Sequence, residues 1–64
     1  MHNNRTNDEL LKQARDILIS KGKIRIAIIQ IKCEIGFIKA KEIFNALAKE
    51  GIGTINHEGV LTLN

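Results

Sequence analysis

Lys39, Lys41, Glu42, Asn45 and Lys49 are polar residues spaced among Ala40, Ile43, Phe44, Leu47 and Ala48. The apolar set recurs at the offsets of a helical stripe, so the polar set falls on the opposite side of one helix. Side chains of these types can recognise the edges of base pairs. An asparagine amide at Asn45 can pair bidentately with adenine, and an ammonium at Lys39 or Lys41 can reach guanine or a phosphate. Glu42 can accept from a cytosine amino group, or form an intrahelical ion pair with Lys39. Arg25, Lys32 and Lys49 are candidate phosphate anchors, which set register without reading sequence. The alternative meaning of the same pattern is a solvated helix face, because most charged helix faces meet water.

Other chemistry has less to build on. His2, His57 and Cys33 lack metal-ligand spacing, and no cofactor is expected. Gly51-Ile52-Gly53 is not followed by the Lys-Ser/Thr and helix of a phosphate-binding loop. No acid pair or nucleophile–base arrangement stands out, so no catalytic constellation is expected. Cys33 reads as a small buried hydrophobe.

The elements that must position the polar stripe follow from local signals. Thr6-Asn7-Asp8-Glu9 fits a capping box, with Thr6 or Asn7 as the cap. Leu10, Leu11, Ala14, Ile17 and Leu18 then form a helical stripe that ends near Gly22, predicting a first helix over 8–20. Lys23-Ile24-Arg25-Ile26 alternates with strand period, predicting a short strand over 24–26. The run that follows is apolar enough for a longer strand or a buried helix; a two-turn helix over 28–33 is the reading adopted, although Ala27 is a poor cap. Gly36 reads as a tight turn with φ > 0. It leads into the third helix, about 37–50, with Gly51 at its left-handed end. The pair 52–55 and 60–63 flanks Asn56-His57-Glu58-Gly59, which is a hairpin signal with His57 at its tip, where a free turn histidine is the favoured reading and a minor-groove or phosphate contact the alternative. The predicted class is α+β, mainly α: a winged helix of three helices and a small antiparallel hairpin wing over 52–63, with residues 1–6 as a tail and 7–64 as the domain.

Composition bounds the rest. A chain of 64 residues makes one domain and needs a dense aliphatic core. The net charge of +3 permits a nucleic-acid partner without requiring one. Phe37 and Phe44 are the only aromatic residues, which argues against base stacking on an aromatic platform. The lone thiol suggests a cytoplasmic setting. With no long apolar run and a polar start, neither a membrane span nor a signal peptide is expected.

Ile29-Gln30, Ile35-Gly36-Phe37, Lys39-Ala40, Ile43-Phe44, Leu47 and Gly51-Ile52 together resemble the C-terminal gamma domain of FtsK/SpoIIIE-type DNA translocases. That family shows Leu-Gln, Ile-Gly-Tyr, Arg-Ala, a paired aliphatic, and Gly-Ile or Gly-Val before its wing. Asp8-Glu9-Leu10-Leu11-Lys12-Gln13-Ala14 resembles its opening helix, so the likeness covers nearly all of the chain after Asn7. It implies a winged helix that reads short oriented sequences in duplex DNA, with the base-reading helix on 38–45; Gln30, within the matched run, counts among the candidate DNA contacts. This chain departs from the pattern where bases would be read. Ile38 stands where the family has Asn, the family's Arg falls at Glu42 or a neighbour, and its Glu falls at Asn45. The family's motor domain has no counterpart in these residues, so translocation is not expected.

A second reading comes from surplus aliphatics. Ile19, Ile28, Ile31, Ile35 and Ile38 cannot all face one small core, so some should form an exposed patch of the kind that marks an interface. Ile38 could meet a thymine methyl, or dock a partner or second copy together with Ile28 and Ile31. A homodimer suits both readings, because paired units read two half-sites.

Overall fold

The computed structural model describes residues 6–64. Helices α1 (Asn7–Lys21), α2 (Ile26–Cys33) and α3 (Phe37–Lys49) and strands β1 (Lys23–Ile24), β2 (Gly53–Ile55) and β3 (Leu61–Leu63) follow in the order α1-β1-α2-α3-β2-β3. The strands form one antiparallel sheet ordered β1-β3-β2. This α+β, mainly α chain has the three helices and small flanking sheet of a winged helix. Of the expected tail, residues 1–5 lie outside the described residues, and Thr6 belongs to the first helix as its cap.

Helix α1 begins in the expected capping box. Thr6 Oγ1 accepts from the Glu9 amide at 3.2 Å, and Glu9 Oε1 accepts from the Thr6 amide at 2.8 Å. Leu10, Ala14 and Leu18 are buried, while Leu11 and Ile17 flank the core half-buried. The helix stops at Gly22, whose φ of 84° lets its amide turn back to the Leu18 carbonyl at 2.7 Å. The Gly22 carbonyl then accepts from the Leu63 amide at 2.9 Å, joining the end of α1 to the last strand.

The structure corrects two sequence expectations on either side of α2. The short strand is Lys23–Ile24 and not 24–26, and the helix starts at Ile26 and not at residue 28. The ladder explains this: Lys23 pairs with Thr62 and Ile24 with Leu61, and beyond Leu61 the partner strand has become hairpin turn. With no further pairing available, Ile26 packs half-buried against the core as the first helical residue. Arg25 is the N-cap with no side-chain hydrogen bond to the helix end, so capping chemistry gave no warning of the start.

The second correction concerns the bend between α2 and α3. Gly36 has φ −74° and ψ 171°, an extended N-cap to α3. The left-handed residue is Glu34, at φ 57°. Its amide bonds the Gln30 carbonyl, and the Ile35 amide reaches the same carbonyl at 3.2 Å, closing the last turn of α2. Helix capping thus sets the turn two residues earlier than glycine placement suggests. At the far end of α3, Glu50 is a right-handed C-cap and Gly51, at φ 79°, is the left-handed residue after it.

The core is one cluster. Leu10, Ala14 and Leu18 of α1 meet Ile29 and Cys33 of α2, Ala40, Ile43, Phe44 and Leu47 of α3, and Ile24 and Leu61 of the sheet. No polar or charged residue among those described is buried. Along β3 the side chains alternate: Leu61 is buried and Leu63 half-buried, while Thr62 and its partners Lys23 and Thr54 are exposed. Asn56 shapes the hairpin turn. Its side-chain oxygen accepts from the amides of Glu58 and Val60 at 2.8 and 3.1 Å, and its carbonyl accepts from the Gly59 amide at 3.0 Å.

One ion pair ties α1 to the end of α3. Arg15 donates from Nε to Glu50 Oε1 at 2.9 Å and from Nη2 to Oε2 at 2.7 Å. This two-pronged bond holds the Glu50 carboxyl below its ordinary value and raises the Arg15 guanidinium, so the arginine keeps its charge throughout. A depressed carboxyl contributes stability above its unfolded pKa and loses it as pH falls through the folded one. Melting temperature measured from about pH 5 downward should therefore fall less steeply for Glu50→Gln than for the parent chain. Parallel acid limbs would show that the pair adds nothing to folding.

Candidate nucleic-acid interface

Helix α3 has two unlike sides. Ala40, Ile43, Phe44 and Leu47 are its buried side. At about 100° per residue, Ile38, Lys41, Glu42, Asn45 and Lys49 fall within roughly a 100° arc on the other side, and all of them are exposed. Among the described residues, Lys41, Asn45 and Lys49 make no side-chain hydrogen bond or ion pair, so their polar atoms are open to an incoming group. Ile38 is 76% exposed at the head of this stripe.

Lys39 and Glu42 differ from the others. Lys39 lies about 60° beyond the arc, half-buried, with its Nζ 3.8 Å from Glu42 Oε1. The intrahelical pair is thus the arrangement Glu42 adopts in this structure. Its charge partly offsets that of Lys39, leaving Lys41 and Lys49 as the unpaired cations of the face.

The supporting residues separate into two groups. Gln30 is half-buried on α2, and its carbonyl receives the two amides that close the helix. Arg25 and Lys32 lie elsewhere: with Ile28 they share one flank of α2, and that flank looks onto a groove bordered by α1 and β1. Lys32 is further fixed through its carbonyl, which accepts from Gln13 Nε2 of α1 at 3.0 Å. His57 is exposed in the hairpin turn between β2 and β3. The structure therefore brings Ile38, Lys41, Glu42, Asn45 and Lys49 onto one helix face with Lys39 beside it, and gathers Arg25 and Lys32 around a separate depression.

Two features of this surface are not evident from the sequence. Phe37 is 54% exposed beside Ile38. It shares the angular direction of Phe44, which suggests burial, but it is the first helical residue and the core cover ends before it. Lys21 and Lys23 join Arg25 and Lys32 at the groove. Lys21 ends α1, Lys23 lies in β1 and Arg25 caps α2, so only the packing of three elements brings these cations together.

No three His, Cys, Asp or Glu side chains come together as a metal site among the described residues, and among them no helix is long and apolar enough to cross a membrane. Comparison of the chain with protein-family models, with curated proteins and with solved structures gives no match.

Proposed function

We propose that this chain is a non-catalytic winged-helix module that binds double-stranded DNA, laying the outer face of α3 in the major groove with the 52–63 hairpin as its wing. The observation that carries the reading is the exposed, unpartnered set Lys41, Asn45 and Lys49 on a helix whose other side is wholly given to the core. The likeness of its turn and core residues to FtsK/SpoIIIE-type gamma domains supports the same reading. The departures at Ile38, Glu42 and Asn45 mean that the sequence read is this chain's own. In this arrangement Asn45 supplies base discrimination, Lys41 and Lys49 contact guanine or phosphate, and Ile38 covers a thymine methyl.

The test is affinity for random duplex DNA as a function of salt. Log K should fall with log[salt] at a slope of about −0.9 per phosphate engaged, so roughly −3 to −5 for a module of this size. Joint Lys41→Glu and Lys49→Glu substitution should flatten that slope by about 2. Both residues are exposed, so the fold should tolerate the change. Absence of duplex binding at low ionic strength would overturn the proposal.

One observation favours a second reading, a protein-interaction or dimerisation module. Ile31 and Ile38 are 68% and 76% exposed, and Phe37 stands exposed beside Ile38. Ile28 and Ile35 are half-buried against the core and contribute less to such a patch. Concentration-dependent self-association that is lost in Ile38→Ser would support this reading.

A further inference from the structure

Opposite charges are absent from the groove beside α2. Its floor is entirely aliphatic: Ile24 and Val60 lie at the bottom, almost fully buried, and half-buried Ile17 and Ile28 form the walls. Its rim carries Lys21, Lys23, Arg25 and Lys32. All four cations are exposed, and none has a carboxylate partner among the described residues. The depression holds about 320 Å³, which matches a few aliphatic side chains. A neighbouring hollow shares Ile17, Lys21 and Lys32 and is otherwise lined by Gln13, Asp16 and Ser20. The Asp16 carboxylate there is engaged by Lys12 at 3.3 Å.

These features define an occupant. The lining has no aromatic ring on which a base could stack. Clustered cations favour several negative charges over one, and branched aliphatic walls favour a leucine- or isoleucine-like group. A DNA backbone would satisfy the rim but has no aliphatic group to fill the floor. We infer that this groove is a docking site for an acidic peptide segment of a partner protein, whose aliphatic side chains seat on Ile17, Ile28 and Val60 while its carboxylates meet Lys21, Lys23, Arg25 and Lys32. The surface is distinct from the outer face of α3, so the inference stands independently of DNA binding.

The probe is a synthetic amphipathic peptide of about three helical turns, with a leucine stripe flanked on both sides by glutamates. It is titrated into the full chain while backbone amide and methyl NMR signals are followed. Shifts should concentrate at Ile17, Ile28, Val60 and the four cations. Joint Arg25→Glu and Lys32→Glu substitution should weaken binding at least tenfold, and both sites are exposed enough to leave the fold intact. Lys41→Glu with Lys49→Glu should leave peptide affinity unchanged, which separates this site from the proposed DNA face. Equal binding by a peptide with every leucine replaced by serine would overturn the inference, because the floor would then be idle. So would shifts confined to α3, absence of binding up to about 1 mM peptide, or displacement of the peptide by duplex DNA from the same groove residues.

Discussion

Leu47→Ala is expected to cost about 2–5 kcal/mol, the loss usual for emptying a buried leucine site. Leu47 is 0% exposed and sits on the inner side of α3, in the cluster that also holds Leu18, Ile29 and Leu61. The cluster joins all three helices to the sheet, so little chain remains that can collapse into the space without moving another element. A domain of this length has roughly 3–10 kcal/mol of stability to lose. The substitution should therefore lower the melting temperature by roughly 10 °C at the least, and much of the population should be unfolded in mild urea. Circular dichroism melts of parent, Leu47→Met and Leu47→Ala give the measurement. Methionine preserves most of the volume and should be the milder change. A Leu47→Ala melt within a few degrees of the parent would mean that α3 is not held by this core.

Gly53→Ala is the second large effect, and its cause is space. A Cβ at residue 53 would sit 2.6 Å from the Thr62 carbonyl oxygen and 3.1 Å from Leu61 Cδ1. The first of these is the backbone of the paired strand, which cannot turn aside as a side-chain tip can. Gly53 pairs with Leu63 at the base of the hairpin, so relief requires β2 to move away from β3. The expected cost is about 1–3 kcal/mol. It should fall on the wing first, because the β2–β3 ladder is only three residue pairs long and so short a hairpin has little stability of its own. Cross-strand NOEs between Thr54 and Thr62 and protection of the hairpin amides should be lost while α1 and α3 signals persist. Retention of those NOEs with an unchanged melt would contradict the close approach. Gly22→Ala would act differently: nothing lies within 4 Å of its Cβ position, and the penalty would come from φ alone.

The parts of the fold that were legible in the residues are those with local signals. The Thr6–Glu9 capping box and the Leu10, Ala14, Leu18 stripe placed α1 to within a residue at each end. The Ala40, Ile43, Phe44, Leu47 stripe placed α3 and its outward polar face. The Asn56–Gly59 turn placed the hairpin, and Asn56 does bond back to Glu58 and Val60. Where the reading slipped, distant partners made the decision. Lys23 and Ile24 are a strand because β3 pairs with them, and Ile26 is helical because β3 has no more residues to offer. Glu34 takes the left-handed conformation although Gly36 is close by, because the last turn of α2 needs closing at that residue. The same limit applies to the candidate site. Residues on one helix can be assigned to one face by their spacing, so Lys41, Asn45 and Lys49 fall together from sequence alone. Arg25 and Lys32 lie on α2, and only the packing of α1 and β1 beside that helix decides what they overlook.

The turn that bends α2 into α3 closes on a single carbonyl, that of Gln30, and involves only main-chain atoms of Glu34 and Ile35. The aim of the third helix is thus set by backbone geometry and by its inner residues, and Lys41, Asn45 and Lys49 take no part in setting it. Descendants of this chain can exchange those three side chains freely without passing through a misfolded ancestor.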